Sequence, residues 1–264
     1  MRLLFPFVVL LAACKPPIEL DDSSPTDSTP TDDTGTPTDD TGTTTVPEAT
    51  YFYAVSELMV AADDEGFDLD GDGLPDNALA TVNRVVDPLL QVVMGDTPRV
   101  IAIVLDEVAD FHDDPSIHAA IFGADDQDGD HSALDNFSGE EVFEAGAAVD
   151  EDGHPVEYQD VPVDGGIYTA LFEDVRGVDL GGLQIGADTP LVVGSNAFDA
   201  NSQNGLLGFG VSATALVAFA EAVGMDPGDA AELALLADLD LDADGTDETV
   251  SVALRFGAVS CGLD

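Results

Sequence analysis

The sequence predicts an α+β fold: a single β-rich domain, mainly antiparallel sheet or sandwich, with about three helices, following a disordered tether. Three observations predict it. Short apolar runs rich in β-branched residues outnumber helical stretches along 51–264, and the last of them alternates, with Val250, Val252, Leu254 and Phe256 set against Ser251, Ala253 and Arg255. Strands and helices do not alternate regularly, which argues against a parallel βαβ sheet. The residues from Tyr51 on suffice for one sizeable core, and no second linker divides them.

Taken in order, residues 51–61 (YFYAVSELMVA) suit a strand or a short helix. Residues 77–94 place Leu79, Val82, Val86, Leu90 and Val93 at helical spacing, with Pro88 as a kink and Gly95 as the stop. Residues 99–105 (RVIAIVL) form an unbroken apolar run of strand length, so a buried strand. Residues 117–122, 166–175, 191–194 and 206–211 read as further strands. Ser212 caps a helix reaching Val223, and Asp226-Pro227 starts another reaching Ala237, with proline at its first position. The alternating stretch at 250–256 is the final strand.

Ahead of the domain, residues 21–45 read DDSSPTDSTPTDDTGTPTDDTGTTT, without an aromatic or large aliphatic side chain to offset the entropy of ordering. Residues 14–50 are therefore a cysteine followed by a disordered acidic tether, long enough to reach roughly 30–35 Å as a flexible coil. The net charge of the chain is −48, with 54 acids and six basic residues. Such a surface excludes nucleic acid, which is bound through Lys and Arg, and it disfavours lying on anionic lipid. It suits a medium rich in salt or divalent cations.

Residues 1–13 open MRLLFPFVVLLAA: one arginine, then an apolar run too short to span a bilayer, which is the pattern of an export signal. The four residues Leu11-Ala12-Ala13-Cys14 resemble the lipobox of bacterial lipoproteins. The resemblance implies cleavage before Cys14 and acylation of that cysteine, hence a membrane partner held through lipid. More than one acyl chain makes such anchoring stable. Lys15, in place of an aspartate, implies by the same resemblance an outer-membrane address, surface-exposed or periplasm-facing. With Cys14 lipidated, Cys261 has no disulfide partner and reads as a small buried hydrophobe.

Two stretches carry a metal-ligand pattern. In GFDLDGDGLPDNALA, Asp68, Asp70 and Asp72 fall at positions 1, 3 and 5 of a calcium loop, Gly73 at position 6, the Leu74 carbonyl at 7 and Asp76 at 9. In LDLDADGTDETVS, Asp240, Asp242 and Asp244 take positions 1, 3 and 5, Gly245 position 6, Thr246 position 7 and Glu248 position 9. A third stretch offers Asp126, Asp128 and Asp130, but with His131 at position 6. The first resembles the opening of an EF-hand loop and the DxDGDGxxD element of thrombospondin type 3 repeats. Both main loops depart from the EF-hand at position 12, where Leu79 and Ser251 replace the bidentate glutamate. About one domain residue in five is acidic, so scattered DxD pairs arise from composition alone. Three aspartates at spacing two followed by glycine are more specific. The cofactor they imply is Ca²⁺ in weak sites, whose charge would relieve the crowded carboxylates.

No HExxH, CxxC or GxxxxGK is present, and the segment 210–214 lacks the second glycine of a nucleophile elbow. Gly208-Phe209-Gly210 with Ala213 imitates a dinucleotide fingerprint, but without a βαβ context it reads as a turn before a helix. The function expected is thus non-enzymatic. It is that of a calcium-stabilised surface lipoprotein for adhesion, envelope structure or partner binding, with a protein or glycan partner; in general look the chain is similar to surface lipoproteins of Gram-negative bacteria. The alternatives are a metal-dependent hydrolase using His112, His118, His131 or His154, and an apolar-ligand carrier whose cavity is lined by RVIAIVL and the Gly-rich strands.

Overall fold

The computed structural model describes residues 48–95, 97–173, 175, 178–186, 189–240 and 245–263. The lipobox, the tether, Asp242 and Asp244 lie outside the described residues. The described residues belong to the compact unit Thr45–Asp264.

The chain enters as strand β1 (Ala49–Val60), passes an aspartate loop and a 3-10 turn (Ala78–Val82), and forms helix α1 (Asn83–Met94). Strands β2 (Arg99–Val108) and β3 (Asp114–Asp126) follow as a long antiparallel pair. Then come the short helix α2 (Ala133–Asn136), β4 (Val142–Glu144), β5 (Gln159–Val163) and β6 (Tyr168–Phe172). Strands β7 (Asp179–Leu180) and β8 (Leu183–Gln184) make a separate two-stranded ribbon. The chain closes with β9 (Leu191–Phe198), β10 (Ser202–Ser212), α3 (Ala213–Ala222), α4 (Pro227–Glu232), β11 (Thr249–Ser260) and β12 (Gly262–Leu263).

The fold is α+β with one large sheet, not a sandwich. Its order is β12-β4-β3-β2-β1-β11-β10-β9-β6, and β5 also pairs with β3. Every ladder is antiparallel except β12 with β4. A turn with an Asp164–Ile167 bridge links β5 to β6, so β6, at one end of the order, returns beside the β5 that pairs with β3, and the sheet curls around its core.

That core follows from strand alternation. Tyr53 and Val55 of β1 point inward; a bulge after Val55 restores the same face for Leu58 and Val60, where α1 lays Val86, Leu90 and Met94 against them. Val250, Val252, Leu254 and Phe256 of β11 face the same interior, with Leu207 and Phe209 of β10. From Val100 to Leu105 the run is buried on both faces. Ile101, Ile103 and Leu105 join this core, whereas Val100, Ala102 and Val104 join a second, outer cluster with Phe122 and Phe143. That double burial is why the run lacks alternation.

Of residues 51–61, all but Ala61 are strand. The helix expected over 77–94 begins instead as a 3-10 turn, because Leu79 is sunk in the core and the Ala78 amide is tied to the Ser251 hydroxyl at 2.8 Å. Pro88 lies inside α1, where it removes one backbone donor. Ser212 caps α3 by accepting from the Ala215 amide (3.3 Å), and Asp226 caps α4, which tightens into a 3-10 turn at Leu233–Leu236. Gly208 and Gly210 are not in a turn. They lie inside β10, where they make room for neighbours from other segments. Among the described residues no helix is long and apolar enough to cross a membrane.

Candidate metal loops

Loop 68–76 is built around its own aspartates. Asp68 accepts from the Gly71 amide (2.7 Å) and the Gly73 amide (3.0 Å), Asp70 from Asp72 (2.9 Å), and Asp72 from Leu74 (2.8 Å). Asp76 accepts from Leu69 (2.6 Å) and more distantly from Asp70 (3.3 Å). Gly73 has φ +89°, the left-handed conformation its position requires. The outcome is that one carboxylate oxygen from each of Asp68, Asp70 and Asp76 lies within 4.8 Å of the other two. Three such charges repel by about 1 kcal/mol per pair in water-like surroundings, more where water is excluded. This group could hold a metal ion. Asp72 lies outside it, capping Leu74 instead.

Burial raises the Asp76 carboxyl above the usual aspartate range, against the lowering effect of the Leu69 and Asp70 amides; the charges of Asp70 and Asp238 add to the rise. Asp238 immediately precedes the second loop, so the two loops share a neighbourhood.

The second loop repeats the first in its described parts. The Gly245 amide donates to Asp240 at 2.7 Å, as Gly73 does to Asp68, and Gly245 also has φ +89°. Each loop is pinned where position 9 meets the residue before position 1. The Asp76 amide donates to the Phe67 carbonyl (2.9 Å), and the Glu248 amide to the Leu239 carbonyl (3.3 Å). Thr246 and Glu248 are exposed.

The two position-12 residues do other work. Leu79 is core. Ser251, fully buried, donates its hydroxyl to Asp238 (2.5 Å) and accepts from the Ala78 amide (2.8 Å). It thereby joins the end of the first loop to the start of the second. Asn77 adds a second tie: its side chain donates to the Ala61 carbonyl (3.0 Å) and accepts from the Ala253 amide (3.2 Å). Both loops are thus fastened to β11, on the side away from the core.

The third stretch gains a member that sequence spacing did not suggest. Asp126 and Asp128 form a second group with Glu141, which lies just before β4; Asp130 caps Ser132 and stays outside it. Burial would raise the Asp126 carboxyl, but His131 Nδ1 at 2.6 Å and the Asp128 amide outweigh it and hold it below the usual range. The charges of Asp126 and Asp128 are among the causes that raise Glu141 and Asp135, after burial. The signal available in the sequence was only the local acid density.

The four histidines go to separate carboxylates. His112 pairs with Asp113 (2.7 Å), His131 with Asp126, and His154 with Asp106 (2.7 Å); His118 lies 3.3 Å from Glu107 and 3.2 Å from Asp160, stacked on Tyr158. None belongs to either group of metal-competent residues among those described. Cys261 is a partly buried thiol whose pKa burial pushes up to about 12, the reverse of an activated nucleophile. No family model matches the chain, and neither a curated protein nor a solved structure matches it.

Proposed function

We propose that this chain is a non-enzymatic, calcium-stabilised lipoprotein, anchored through Cys14 on the outer membrane and displaying its β-rich domain for adhesion, envelope structure or partner binding. The observation that carries the calcium reading is the convergence of Asp68, Asp70 and Asp76 in a loop fastened to β11. A hard cation with several oxygen ligands suits carboxylates without histidine or thiolate. Support for the anchor comes from Leu11-Ala12-Ala13-Cys14 at the end of a short apolar run, followed by an acidic Thr/Pro/Gly spacer. The second loop, with Asp240, Asp242, Asp244 and Glu248, takes a second calcium ion in this reading.

Calcium acts here as a structural counter-charge. Each ion neutralises a loop whose ends hold neighbouring stretches, so binding stabilises the folded domain by linkage. The anchor is tested by fractionation. Cys14→Ser is expected to move the protein from the detergent phase to the aqueous phase; partitioning into detergent that survives the substitution would contradict the lipid anchor.

A further inference from the structure

Between Ala148 and Val156 the chain leaves the large sheet as a small arm. A bridge between Val149 and Pro155 closes it. Within it the Val156 amide donates to the Ala148 carbonyl (2.9 Å), the Asp150 amide to His154 (2.9 Å) and the Gly153 amide to Asp150 (3.1 Å). The Asp150 carboxylate accepts from the Asp152 and His154 amides (3.0 Å each). These bonds have both ends on the arm, so they survive if it lifts as a unit.

A side-chain pair fastens the tip to the sheet. His154 Nδ1 lies 2.7 Å from one carboxylate oxygen of Asp106, which is buried on β2 and accepts at its other oxygen from Thr50 (2.5 Å). At the root, Ala148 and Val149 pack on the outer cluster around Phe122 and Phe143, and Tyr158 stacks on His118. Ala148 and Val156 also line a cleft of about 860 Å³, together with Leu171 and Phe172 of β6.

The charges around the pair decide what a change of pH does. Asp150 and Asp152 travel with His154, so they favour its charged form whether the arm is docked or lifted. Glu151 also lies on the arm and Glu157 just beyond it, both exposed. Asp106 belongs to the sheet and favours the charged form only while the arm is docked. His118, opposite Asp106 in the β2–β3 ladder, stands 3.3 Å from Glu107 and 3.2 Å from Asp160, so its own charge is met by other carboxylates. A charge-assisted hydrogen bond is roughly twice as strong as a neutral one. Docking is therefore favoured while His154 is protonated. That contribution fades as pH rises through the folded pKa of His154, which Asp106 holds above the ordinary histidine value.

We infer that residues 149–155 form a pH-sensitive flap, latched to β2 by His154 and Asp106 in mild acid and lifting from the sheet, with widening of the cleft at its root, once His154 loses its proton. The flap depends on neither the calcium loops nor the lipid anchor.

A nitroxide attached at Glu151→Cys reports the tip by electron paramagnetic resonance, on the full chain in detergent at constant calcium and ionic strength. The parent chain, treated alike, gives the background from its own cysteines. Between about pH 5.5 and about pH 8.5, on either side of the ordinary histidine value, the mobile fraction of the label is expected to rise at least about twofold. With His154→Gln added, whose amide is neutral throughout, the fraction is expected to be high at both pH values. His154 is half exposed, so this variant is expected to fold, and far-UV circular dichroism checks it. His112→Gln removes an exposed histidine outside the arm and is expected to keep the response. A label equally immobile at both pH values would overturn the flap without recourse to any second substitution. So would a pH response that persists in His154→Gln, one that disappears in His112→Gln, or one that accompanies loss of the circular dichroism of the whole domain.

Discussion

The ring of Phe67 occupies the space where a side chain on Gly208 would stand: a Cβ at that glycine would lie 2.2 Å from Phe67 Cδ2. Gly194 on the neighbouring strand leaves room for the same ring, with its hypothetical Cβ 3.0 Å from Phe67 Cζ. Phe67 is also the residue whose carbonyl closes the first aspartate loop through the Asp76 amide. The loop is therefore seated on β9 and β10 by one aromatic side chain over two glycines. Gly208→Ala is expected to destabilise the domain by about 1–3 kcal/mol through overpacking. Combining it with Phe67→Ala should cost less than the sum of the two single changes, because the clash disappears with the ring. Denaturant unfolding of the three variants checks this, and strict additivity would contradict the packing.

Ser251 links the two loops through one hydroxyl, donating to Asp238 and accepting from the Ala78 amide. Ser251→Ala leaves the Ala78 amide short of its acceptor and Asp238 short of a donor. The expected loss is about 0.5–1.5 kcal/mol, the range for a hydrogen bond, here to partners that are only partly buried. Thermal unfolding measures it; a change within a few tenths of a kcal/mol would show that the bridge carries no weight.

The pair His154–Asp106 gives the domain a pH dependence of known sign. The hydrogen bond and charge of Asp106 raise the His154 pKa above the ordinary histidine value. On Asp106, burial acts to raise the pKa, but the contacts from Thr50, His154 and a backbone amide prevail and hold it below the ordinary aspartate value. The histidine's contribution is full below the ordinary histidine pKa and is lost as pH rises through its higher folded value. The aspartate's contribution is present above the ordinary aspartate pKa and is lost as pH falls through its lower folded value. Together they act fully between about pH 4 and 6.5. His154→Gln is therefore expected to cost most in that window and less above it. By NMR the His154 midpoint should fall on Asp106→Asn, and a midpoint indifferent to that change would contradict the pairing.

Much of this was legible in the sequence because it is local. The alternation of 250–256 gives the inward face of β11, the unbroken 99–105 run gives a strand buried on both sides, and Ser212 and Asp226 mark their helices by caps. The spacing of Asp68, Asp70 and Asp76 likewise survives as a spatial group. What stayed hidden depends on distant partners. β4 and β12 are two or three residues long and exist through pairing with each other and with β3. Gly208 and Gly210 look like a turn until Phe67 and Thr189 are seen filling the space above them. Glu141 joins Asp126 and Asp128 only because β4 pairs with the end of β3, and the position-12 residues reveal their use only once β11 lies beside both loops.

The most direct test of the central claim is the melting temperature of the domain in calcium against sodium at matched ionic strength. In the proposed reading, loops without a position-12 glutamate bind calcium as the weaker modules do, with a Kd of about 0.3 mM as a working value. At about 10 mM free calcium each site then adds about 2 kcal/mol, and two sites raise the melting temperature by roughly 8–16 °C for a domain of this size. Asp70→Asn and Asp242→Asn should each remove about half of that calcium-specific rise, while Asp39→Asn in the tether should leave it whole. Equal shifts in calcium and sodium, or loop variants that respond like the parent, would contradict calcium as the counter-charge of these loops.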